Sequence, residues 1–452
     1  MSFPPPPVEH LDWENLGIAA REVNGHVQST YSAAEGKWTE PEFVRDPYLR
    51  VHGFAPGLNY GQQAYEGLKA YRTPANEIQI FRPHSHALRL QASSAYVSIP
   101  AVPTELFTAA VSLAVALNAA FVPPSSSAAG LYIRPVVFGS GPQPGLQPSP
   151  TYTFAVLVAP FTAYHGRSPL PAVVMDDFDR CAPRGTGAAK VGGNYAPLFR
   201  HADAARRQGW PVTLHLDAAT RSQVEEFATS GFVGVGKRRD DTKGQGQGQG
   251  DGDRGGDRDS DNATTTAKEL ITLVVPSSPN VLPSITSSSI LTLARSFGWA
   301  VEQRAIAFDE LGDFDEVLAV GTAAAVLPIR SITRPSTGQT FVFGSRSGGD
   351  GKTGSGEIEG GGSPAGPGEC CQRLQEALSG VQKGERADEW GWCFTVHEPA
   401  GWVGHGDGVA VRAVGGRDEQ REKEEDEEKK KGSRSSVGFL GWLVGWLWPG
   451  WS

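Results

Sequence analysis

Cysteine is scarce in this sequence, and its spacing points to no site. The four cysteines among 452 residues are Cys181, Cys370, Cys371 and Cys393. They show neither the paired CxxC spacing of a structural zinc site nor the pattern of a secreted disulfide framework. We therefore expect reduced thiols and no metal site.

A targeting segment and an excess of positive charge are also missing. The N-terminus reads Met-Ser-Phe, then four prolines and soon acidic residues. A signal peptide has a basic and then an apolar segment, and a transit peptide is rich in arginine and poor in acids. We expect a cytoplasmic protein, with mitochondria as the weaker alternative. The net charge of -9 gives no reason to expect nucleic-acid binding.

Glycine, by contrast, is abundant. Many of the 56 glycines lie in two low-complexity stretches, 237–266 and 345–368. Such compositions cannot build a core. We interpret both stretches as loop insertions, because the entropy of loop closure grows only slowly with loop length.

The last segment, 399–452, has its own composition. It is densely charged over 417–431 and apolar with four tryptophans over 437–451. The apolar run is too short for a membrane span of about 20 residues. Because tryptophan favours membrane interfaces, membrane contact by this tail stays open as the weaker alternative to a disordered appendage.

Lys190 is surrounded in the sequence by small residues that leave its side chain accessible. Four glycines lie within Arg184-Gly-Thr-Gly-Ala-Ala-Lys-Val-Gly-Gly-Asn-Tyr195, around Lys190. A partly desolvated lysine can be a nucleophile that forms a Schiff base with a carbonyl compound. The ordinary alternative is a solvated lysine in a flexible loop. A phosphate-binding P-loop is excluded, since it needs glycine before the lysine and a hydroxyl after it, and here Ala189 and Val191 flank the lysine.

Several motifs in one order resemble those of branched-chain amino acid aminotransferases, which are class IV aminotransferases and fold-type IV pyridoxal-phosphate enzymes. They are the lysine segment, Tyr60 to Tyr71, Leu131-Tyr-Ile-Arg-Pro-Val136, Val224-Glu-Glu-Phe-Ala-Thr229 and Gly321-Thr-Ala323. The resemblance runs from about Val8 to Glu398. It implies an α/β (α+β) fold with a small N-terminal domain (1–160), a linker (161–170) and a large cofactor-binding domain (171–398).

Hydrophobic periodicity supplies the elements of such a fold. It predicts strands at 78–81, 131–139, 151–160, 173–175, 211–216, 232–235, 270–275 and 317–320. It predicts helices at 84–96, 104–121, 194–208, 290–297 and 371–378. Lys190 is thus expected just ahead of a helix N-terminus.

The resemblance assigns the cofactor contacts. Lys190 would be the catalytic lysine that holds pyridoxal 5′-phosphate. Arg89 would bind its phosphate, Tyr195 its phenolic oxygen, and Glu226 rather than Glu225 its pyridine nitrogen. Further phosphate contacts would come from Ile285 and Thr286, at the start of a helix where an anion is favoured, and from Thr322.

The resemblance also assigns a substrate pocket, made by Tyr60, Tyr65, Tyr132, Arg134, Thr322 and Ala323. From the residues alone, core packing remains the alternative for Tyr60 and Tyr65, and a structural ion pair for Arg134. Family resemblance further implies a homodimer in which Tyr60 reaches the neighbouring subunit's site.

Three sites depart from the family pattern. Gly231 replaces the usual asparagine, which puts the local loop geometry in doubt. Ser284 and Ser287 replace glycine and arginine ahead of the phosphate-binding helix, and their effect on cofactor affinity is not decided by the sequence. Ala324 and Leu327 replace a CxxC redox switch of some members, so we expect no such switch.

The implied activity is transfer of the amino group of L-leucine, L-isoleucine or L-valine to 2-oxoglutarate. The alternatives are D-amino acid transamination, aminodeoxychorismate lysis, amino-acid supply to a specialised biosynthetic pathway, and a diverged copy that only binds ligands. Retention of Lys190, Arg89, Tyr195, Glu226 and Thr322 together argues against the diverged copy.

Overall fold

Two β-sheets and the helices packed on them form the body of the protein. In this computed structural model, residues 2–17, 19–162, 168–239, 269–344, 366–400, 402–404 and 410–412 are described. The helices are α1 (Pro56–Asn59), α2 (Pro83–Tyr96), α3 (Thr104–Leu117), α4 (Leu198–Arg207), α5 (Ile285–Ser296) and α6 (Glu369–Gln382).

The strands of the first half are β1 (His26–Ser32), β2 (Lys37–Trp38), β3 (Glu42–Val44), β4 (Gln63–Tyr65), β5 (Leu68–Arg72), β6 (Ile78–Phe81), β7 (Gly130–Gly139) and β8 (Thr151–Phe161). Those of the second half are β9 (Leu170–Val174), β10 (Val212–Leu216), β11 (Val224–Phe227), β12 (Ser230–Arg239), β13 (Glu269–Pro276), β14 (Ala300–Arg304), β15 (Glu316–Gly321), β16 (Ala325–Arg334), β17 (Gln339–Val342), β18 (Cys393–Thr395), β19 (Trp402–Gly404) and β20 (Ala410–Arg412).

The first sheet has the order β18-β6-β5-β7-β8-β1-β2, with β3 on β1 and β4 on β7. The long strands β7 and β8 pair antiparallel from Gly130↔Phe161 to Gly139↔Tyr152. Helix α3 covers this sheet, and its Phe107 stacks on Phe154 of β8 with 5.8 Å between ring centroids. Both rings are fully buried, so truncating either to alanine should cost about 3–5 kcal/mol.

The second sheet closes on itself. Its order is β11-β10-β9-β16-β15-β12-β13-β14, and β11 also pairs with β12. Strands β9, β10, β11, β12, β15 and β16 therefore form a ring. One core cluster, including Phe227, Phe232 and Phe314, packs on one face of these strands, while a second, including Val233 and Val320, packs with α5 and α6. Strand alternation separates the two clusters, since successive residues point to opposite faces.

The predicted elements are present, and two of their boundaries differ for a clear reason. Helix α4 begins at Leu198 rather than 194, after a short 3₁₀ turn at Gly192–Asn194. Pro197 explains the later start, because proline disfavours helical backbone in the residue before it and suits the beginning of a helix. Strand β12 runs to Arg239 and so extends three residues into the first low-complexity stretch, where Lys237 Nζ lies 3.1 Å from Glu316.

Strand β18, which comes late in the sequence, belongs to the first sheet. Strand β18 pairs with β6 through Cys393↔Phe81 and Thr395↔Gln79, and Trp392 packs edge-on against Phe81 at 5.7 Å. The family resemblance assigns these residues to the large domain, 171–398. A three-residue strand is too short for the sequence to indicate which strand it pairs with. Residues Met1–Glu398 form one compact unit, and their division into two domains stays a prediction.

Residues Pro399–Ser452 form a second unit, in which β19 and β20 pair antiparallel. The charged and tryptophan-rich segments predicted there lie outside the described residues. Within the described ranges, every helix is too short or too polar to cross a membrane.

Candidate active site

The lysine loop is fastened to the first half of the chain by its backbone. The Lys190 N–H donates to Ser93 Oγ of α2 at 2.9 Å, and the Tyr65 N–H donates to the Lys190 carbonyl at 3.1 Å. A β-carbon at Gly192 would lie 2.1 Å from Gln63 Nε2, so a larger residue there would have to displace the end of the Gln63 side chain. The lysine loop thus lies against β4 and α2.

Two tyrosines meet at the Lys190 amine. Nζ lies 3.2 Å from the Tyr195 hydroxyl, and 4.7 Å and 4.9 Å from the ring centroids of Tyr65 and Tyr195. The two tyrosine rings pack edge to face at 5.3 Å. Burial raises the pKa of Tyr65 well above its usual range, and the neighbouring Tyr195 adds to the rise. The amine of the predicted catalytic lysine therefore sits in an aromatic, half-buried niche with one hydroxyl partner.

Glu226 lies nearby with a partner that the sequence did not reveal. Its carboxylate is 2.5 Å from Arg180 Nη1 and accepts a long hydrogen bond from the Leu282 N–H at 3.4 Å. Burial raises the pKa of Glu226 to about 7, although Arg180 opposes the rise. The Arg180 guanidinium also lies over the Tyr195 ring at 5.8 Å. Arg180, Glu226 and Tyr195 thus belong to one buried group around Lys190.

Glu225 points the other way, as strand alternation requires. It accepts hydrogen bonds from Ser278 Oγ at 2.8 Å and Asn280 Nδ2 at 3.3 Å, and Cys181 Sγ lies 3.4 Å away. Burial raises the pKa of Cys181 to about 12, so the thiol is kept protonated. The two adjacent carboxylates therefore have separate surroundings, and only Glu226 is grouped with Tyr195.

Arg89 is held by a buried carboxylate. Its Nε and Nη2 donate to the two oxygens of Glu66 at 2.7 and 2.8 Å, and its Nη1 donates to the Pro283 carbonyl at 2.9 Å. His86 Nδ1 lies 2.6 Å from the same carboxylate. Burial would raise the pKa of Glu66, but Arg89 and His86 hold it well below its usual range. The arginine is thereby oriented, with donor capacity left for an anion.

The bond to Pro283 ties Arg89 to the start of α5. Ser284 is the N-cap and its Oγ accepts the Ser287 N–H at 3.1 Å. Ile285 and Thr286 are the first two helical residues, and both are buried. Helix N-termini present free amide donors. Arg89, Ile285 and Thr286 are therefore gathered in one region that suits an anion.

The turn between β15 and β16 lies near Glu226 in the second sheet. Glu226 on β11 lies opposite Gly231 on β12, and Gly231 lies opposite Val320 on β15. Thr322 and Ala323 follow Val320 in the tight turn to β16. The register thus places this turn beside the row of strands that carries Glu226.

Three of the predicted substrate residues, Tyr65, Tyr132 and Arg134, lie together along one wall. The Arg134 guanidinium lies between the rings of Tyr65 and Tyr132, 5.0 Å from each centroid, and donates to the Tyr132 hydroxyl at 2.7 Å. No ion pair of Arg134 occurs within the described part of the chain. Its exposed side chain faces away from buried Ile133 and Pro135, which explains how a charge fits in this apolar strand.

The wall continues to a second cation, Lys69, which sequence reasoning missed. Lys69 lies opposite Tyr132 in the β5–β7 pair, and its Nζ is 5.7 Å from the Phe161 ring. Phe161 itself packs on Tyr132 at 4.8 Å. Burial lowers the pKa of Lys69 to about 8. The signal was present, because Tyr65, Gly67 and Lys69 alternate in the same way as Tyr132 and Arg134.

Tyr60 is placed apart from this group. It follows α1, is 50% exposed, and donates its hydroxyl to the Pro144 carbonyl at 2.7 Å. Large apolar side chains are also exposed on α1 and on the segments before α1 and after β7: Leu58, Tyr48, Phe54 and Leu146. The core-packing alternative is therefore wrong for Tyr60, and its predicted reach into a neighbouring subunit stays a prediction.

Two of the departures from the family pattern touch each other. A β-carbon at Gly231 would lie 2.9 Å from Ser287 Oγ and 3.5 Å from Ser284 Cβ. These three residues also line a cavity of about 480 Å³ beside α5. The backbone of the α5 N-terminus keeps its capped geometry with serine at both positions.

The sequence analysis did not identify Arg180, Glu66 or His86, because the partner of each lies far away in the sequence. Glu66 is 23 residues from Arg89, and Arg180 differs from a solvated arginine only through its fold. The one available signal was a carboxylate between glycine-rich and aromatic neighbours, in Tyr65-Glu-Gly67.

The sequence matches the family model described as amino-transferase class IV over residues 63–332. It is 45% identical over 400 residues to aminotransferase poxL of Penicillium oxalicum, covering 88% of this chain and 97% of that one. It is 48% identical over 376 residues to aminotransferase atnJ of Emericella nidulans (83% and 96% covered). It is 43% identical over 401 residues to branched-chain amino acid aminotransferase gloG of Glarea lozoyensis (88% and 99% covered).

The chain therefore belongs to the class IV aminotransferase family. Solved structures agree on the fold. The Escherichia coli branched-chain amino acid aminotransferase gives a TM-score of 0.60 at 23% identity, over 83% of this chain and all of that one. The T.th. branched-chain amino acid aminotransferase with pyridoxamine 5′-phosphate gives 0.58 at 22% identity, over 83% and 100%. The predicted family, fold class and pyridoxal-phosphate cofactor are confirmed.

Proposed function

We propose that this chain is a transaminase that moves the amino group of L-leucine, L-isoleucine or L-valine to 2-oxoglutarate. The observation that carries the proposal is the grouping of Lys190 and Tyr195 with the buried pair Arg180–Glu226. A nucleophilic amine, a hydroxyl at 3.2 Å and a buried acid are the groups that pyridoxal-phosphate chemistry requires.

The residues present fit the cofactor at three points. Glu66 leaves donor capacity on Arg89, which with the α5 N-terminus suits a phosphate. Lys190 Nζ suits a carbonyl. Glu226, with a pKa of about 7, suits a ring nitrogen that carries a proton, since an added cation favours the ionised carboxylate.

Bound pyridoxal phosphate supplies a carbonyl that takes up the amino group and a ring that withdraws electrons from the reacting carbon. Lys190 Nζ would carry the proton between the substrate Cα and the C4′ carbon of the cofactor. The Tyr195 hydroxyl orients that amine, and the Tyr65 ring shields it from water.

The wall of the pocket supports acidic, partly apolar substrates. Arg134 and Lys69 offer two cations for carboxylates, while Tyr65, Tyr132 and Phe161 offer aromatic surface. An apolar pocket separates substrates that differ by one methylene by only about 1–3 kcal/mol. We therefore expect all three branched-chain amino acids to react, and the name of the Glarea lozoyensis relative agrees with this substrate class.

The substrate class is tested by rates with L-leucine, D-alanine and aminodeoxychorismate, each with 2-oxoglutarate, followed by glutamate release. We expect L-leucine to be preferred. A preference for either of the other compounds would overturn the proposed substrate. Cofactor attachment is tested separately, because Lys190→Ala should abolish the visible absorption band of the cofactor-loaded protein.

We also propose that the active form is a homodimer in which Tyr60 completes the partner's site. The support is the exposed aromatic and aliphatic surface around Tyr60, which includes Phe54 at 59%, Leu58 at 68% and Leu146 at 85% exposure. Exposed apolar patches of this kind mark interaction sites, and a two-fold dimer is the commonest closed assembly.

Complementation between subunits tests this arrangement. Tyr60→Ala and Lys190→Ala should each be nearly inactive, and mixed dimers should regain activity, because one of their two sites has both residues intact. Light scattering on the full chain should give twice the monomer mass. An active monomer, or no regain on mixing, would refute the shared site.

A further inference from the structure

Two buried polar groups beside Glu226 have no partner among the contacts described so far. His215 on β10 is 1% exposed, and within the described residues neither of its ring nitrogens makes a hydrogen bond of good geometry. Arg180 Nε is likewise buried and has no acceptor among the residues that the structure describes. Buried polar groups are paired in roughly 90% of cases or more, and each exception needs an explanation.

The register brings these two groups to the same place. His215 lies directly opposite Glu226 in the β10–β11 pair, and the pairing becomes irregular immediately after it, between His215 and Leu216. Residues directly opposite in an antiparallel pair share one face, with β-carbons about 4.5–5.5 Å apart. Arg180, which pairs with Glu226 at 2.5 Å, is close enough for its charge to act on His215.

The two orphans are complementary in chemistry. Arginine Nε carries only a donor, whereas a neutral imidazole has one acceptor nitrogen and one donor nitrogen. Burial and the charge of Arg180 lower the pKa of His215 to about 3, so the ring is neutral and keeps its acceptor. The Phe178 backbone lies within hydrogen-bonding reach of the ring and has the opposite effect on that pKa, which suits the donor nitrogen and leaves the acceptor nitrogen for another partner.

We propose that His215 is a positioning residue whose neutral ring accepts a hydrogen bond from Arg180 Nε, directly or through one buried water, and so holds the guanidinium against Glu226. A bridging water satisfies both groups, since buried waters make about three hydrogen bonds to otherwise unpaired polar atoms. Without His215, Arg180 would keep its charge but lose the constraint that directs Nη1 to the carboxylate.

The consequence is a shift in the ionisation of Glu226. The other titratable groups that act on this carboxylate or on His215 are Lys190 of the lysine loop, Glu225 of β11 and His201 of α4. None of these changes when His215 is replaced. The effect of His215 on catalysis rests on the proposed role of Glu226 at the ring nitrogen. Its effect on the ionisation of Glu226 does not, because that carboxylate also titrates in the cofactor-free protein.

The test is the titration of Glu226 in the cofactor-free full chain, read by infrared difference spectroscopy from the protonated carboxyl band. That band is assigned by its loss in Glu226→Gln. We expect His215→Leu to raise the titration midpoint by about one pH unit, because a loosened ion pair no longer offsets burial. At least one of His215→Asn and His215→Gln, which place an acceptor oxygen near Nδ1 or Nε2, should stay close to the wild-type midpoint.

His26→Leu is the matched control. His26 is also a buried histidine with one unpartnered nitrogen, Nε2, but it lies on β1 of the first sheet, and its loss should leave the Glu226 midpoint unchanged. An unchanged midpoint in His215→Leu would overturn the proposal. Equal shifts in all three His215 variants would also overturn it, since packing rather than hydrogen bonding would then be the cause.

If His215→Leu does not fold, ¹⁵N NMR of histidine-labelled wild-type protein decides instead, with His215 assigned through His215→Asn. The His215 ring should stay neutral from pH 5 to 8 by the direction of its pKa shift, with one nitrogen shifted as a hydrogen-bond acceptor. A charged ring or two nitrogens without hydrogen bonds would refute the inference. Failure of the transaminase assay would leave these cofactor-free results unaffected, so the two proposals fail separately.

Discussion

Replacing Glu66 by glutamine should weaken the contact with the cofactor's phosphate and leave the other cofactor contacts unchanged. Glu66 is completely buried, and its oxygens receive Arg89 at 2.7 and 2.8 Å and His86 at 2.6 Å. Glu66→Gln keeps the shape but leaves the Arg89 charge without its counter-charge. Removing one partner of a buried ion pair costs about 3–5 kcal/mol of stability.

The pH dependence has a definite sign. The pKa of Glu66 is lowered in the folded protein, so its contribution is present above the unfolded pKa near 4.5 and is lost as the pH falls toward the folded pKa. The wild type should therefore lose more stability than Glu66→Gln on acidification below pH 4.5. Urea denaturation of the cofactor-free protein at several pH values measures both.

Cofactor binding gives the sharper readout. Arg89 freed from Glu66 is no longer oriented toward the α5 N-terminus, and a hydrogen bond to a charged group is worth about 1.5–3 kcal/mol. Affinity for pyridoxal 5′-phosphate should fall by about 10–150-fold, while affinity for pyridoxal, which lacks the phosphate, should change little.

Glu225→Gln is the control, since Glu225 is equally buried but is bonded by the neutral donors Ser278 and Asn280. It should leave the ratio of the two affinities unchanged. Equal weakening of both ligands in Glu66→Gln would refute the assignment of Arg89 to the phosphate.

Four further sites have defined outcomes on substitution. Tyr195→Phe removes the hydroxyl 3.2 Å from Lys190 Nζ and should lower kcat by about tenfold or more; an unchanged kcat would contradict the role of Tyr195. Glu226→Gln should retain the cofactor, seen by its absorption, yet lower kcat/KM by roughly 100-fold or more with L-leucine. Gly231→Asn meets Ser287 Oγ and should lower Tm by several degrees, as overpacking costs about 1–3 kcal/mol. Ser287→Arg enters the adjoining cavity and should be tolerated, both effects being read by thermal unfolding.

The sequence was sufficient where a grouping depends on a local pattern. The lysine segment determines its own backbone through its glycines, so Lys190 and Tyr195 could be predicted to lie together. Arg89 could be named from the resemblance, and α5 from periodicity. The residues of the lysine segment are close in sequence, whereas Arg89 lies inside another element and could be assigned only through the resemblance.

The sequence was insufficient where an interaction joins distant elements. His215 lies opposite Glu226 only because β10 and β11 pair. Arg180 reaches the same carboxylate from the connection after β9. Strand β18 is too short to show a preference for β6. Lys69 Nζ lies 5.7 Å from the ring of Phe161, which belongs to another strand of the sheet. Such contacts follow from tertiary packing, which no local periodicity encodes.

Gly231 and Ser287, which depart from the family pattern at separate places in the sequence, lie next to each other in the structure. Taken singly, Gly231 puts the local loop geometry in doubt, and Ser287 leaves the effect on cofactor affinity undecided. In the structure a β-carbon at 231 would lie 2.9 Å from Ser287 Oγ, and the two positions share one cavity, so the smaller side chains fit each other. The cap of α5 is made by Ser284 Oγ and the Ser287 N–H, which does not require arginine at 287. Because Ile285 and Thr286 offer backbone amides to an anion, the phosphate region can persist while its outer surface changes.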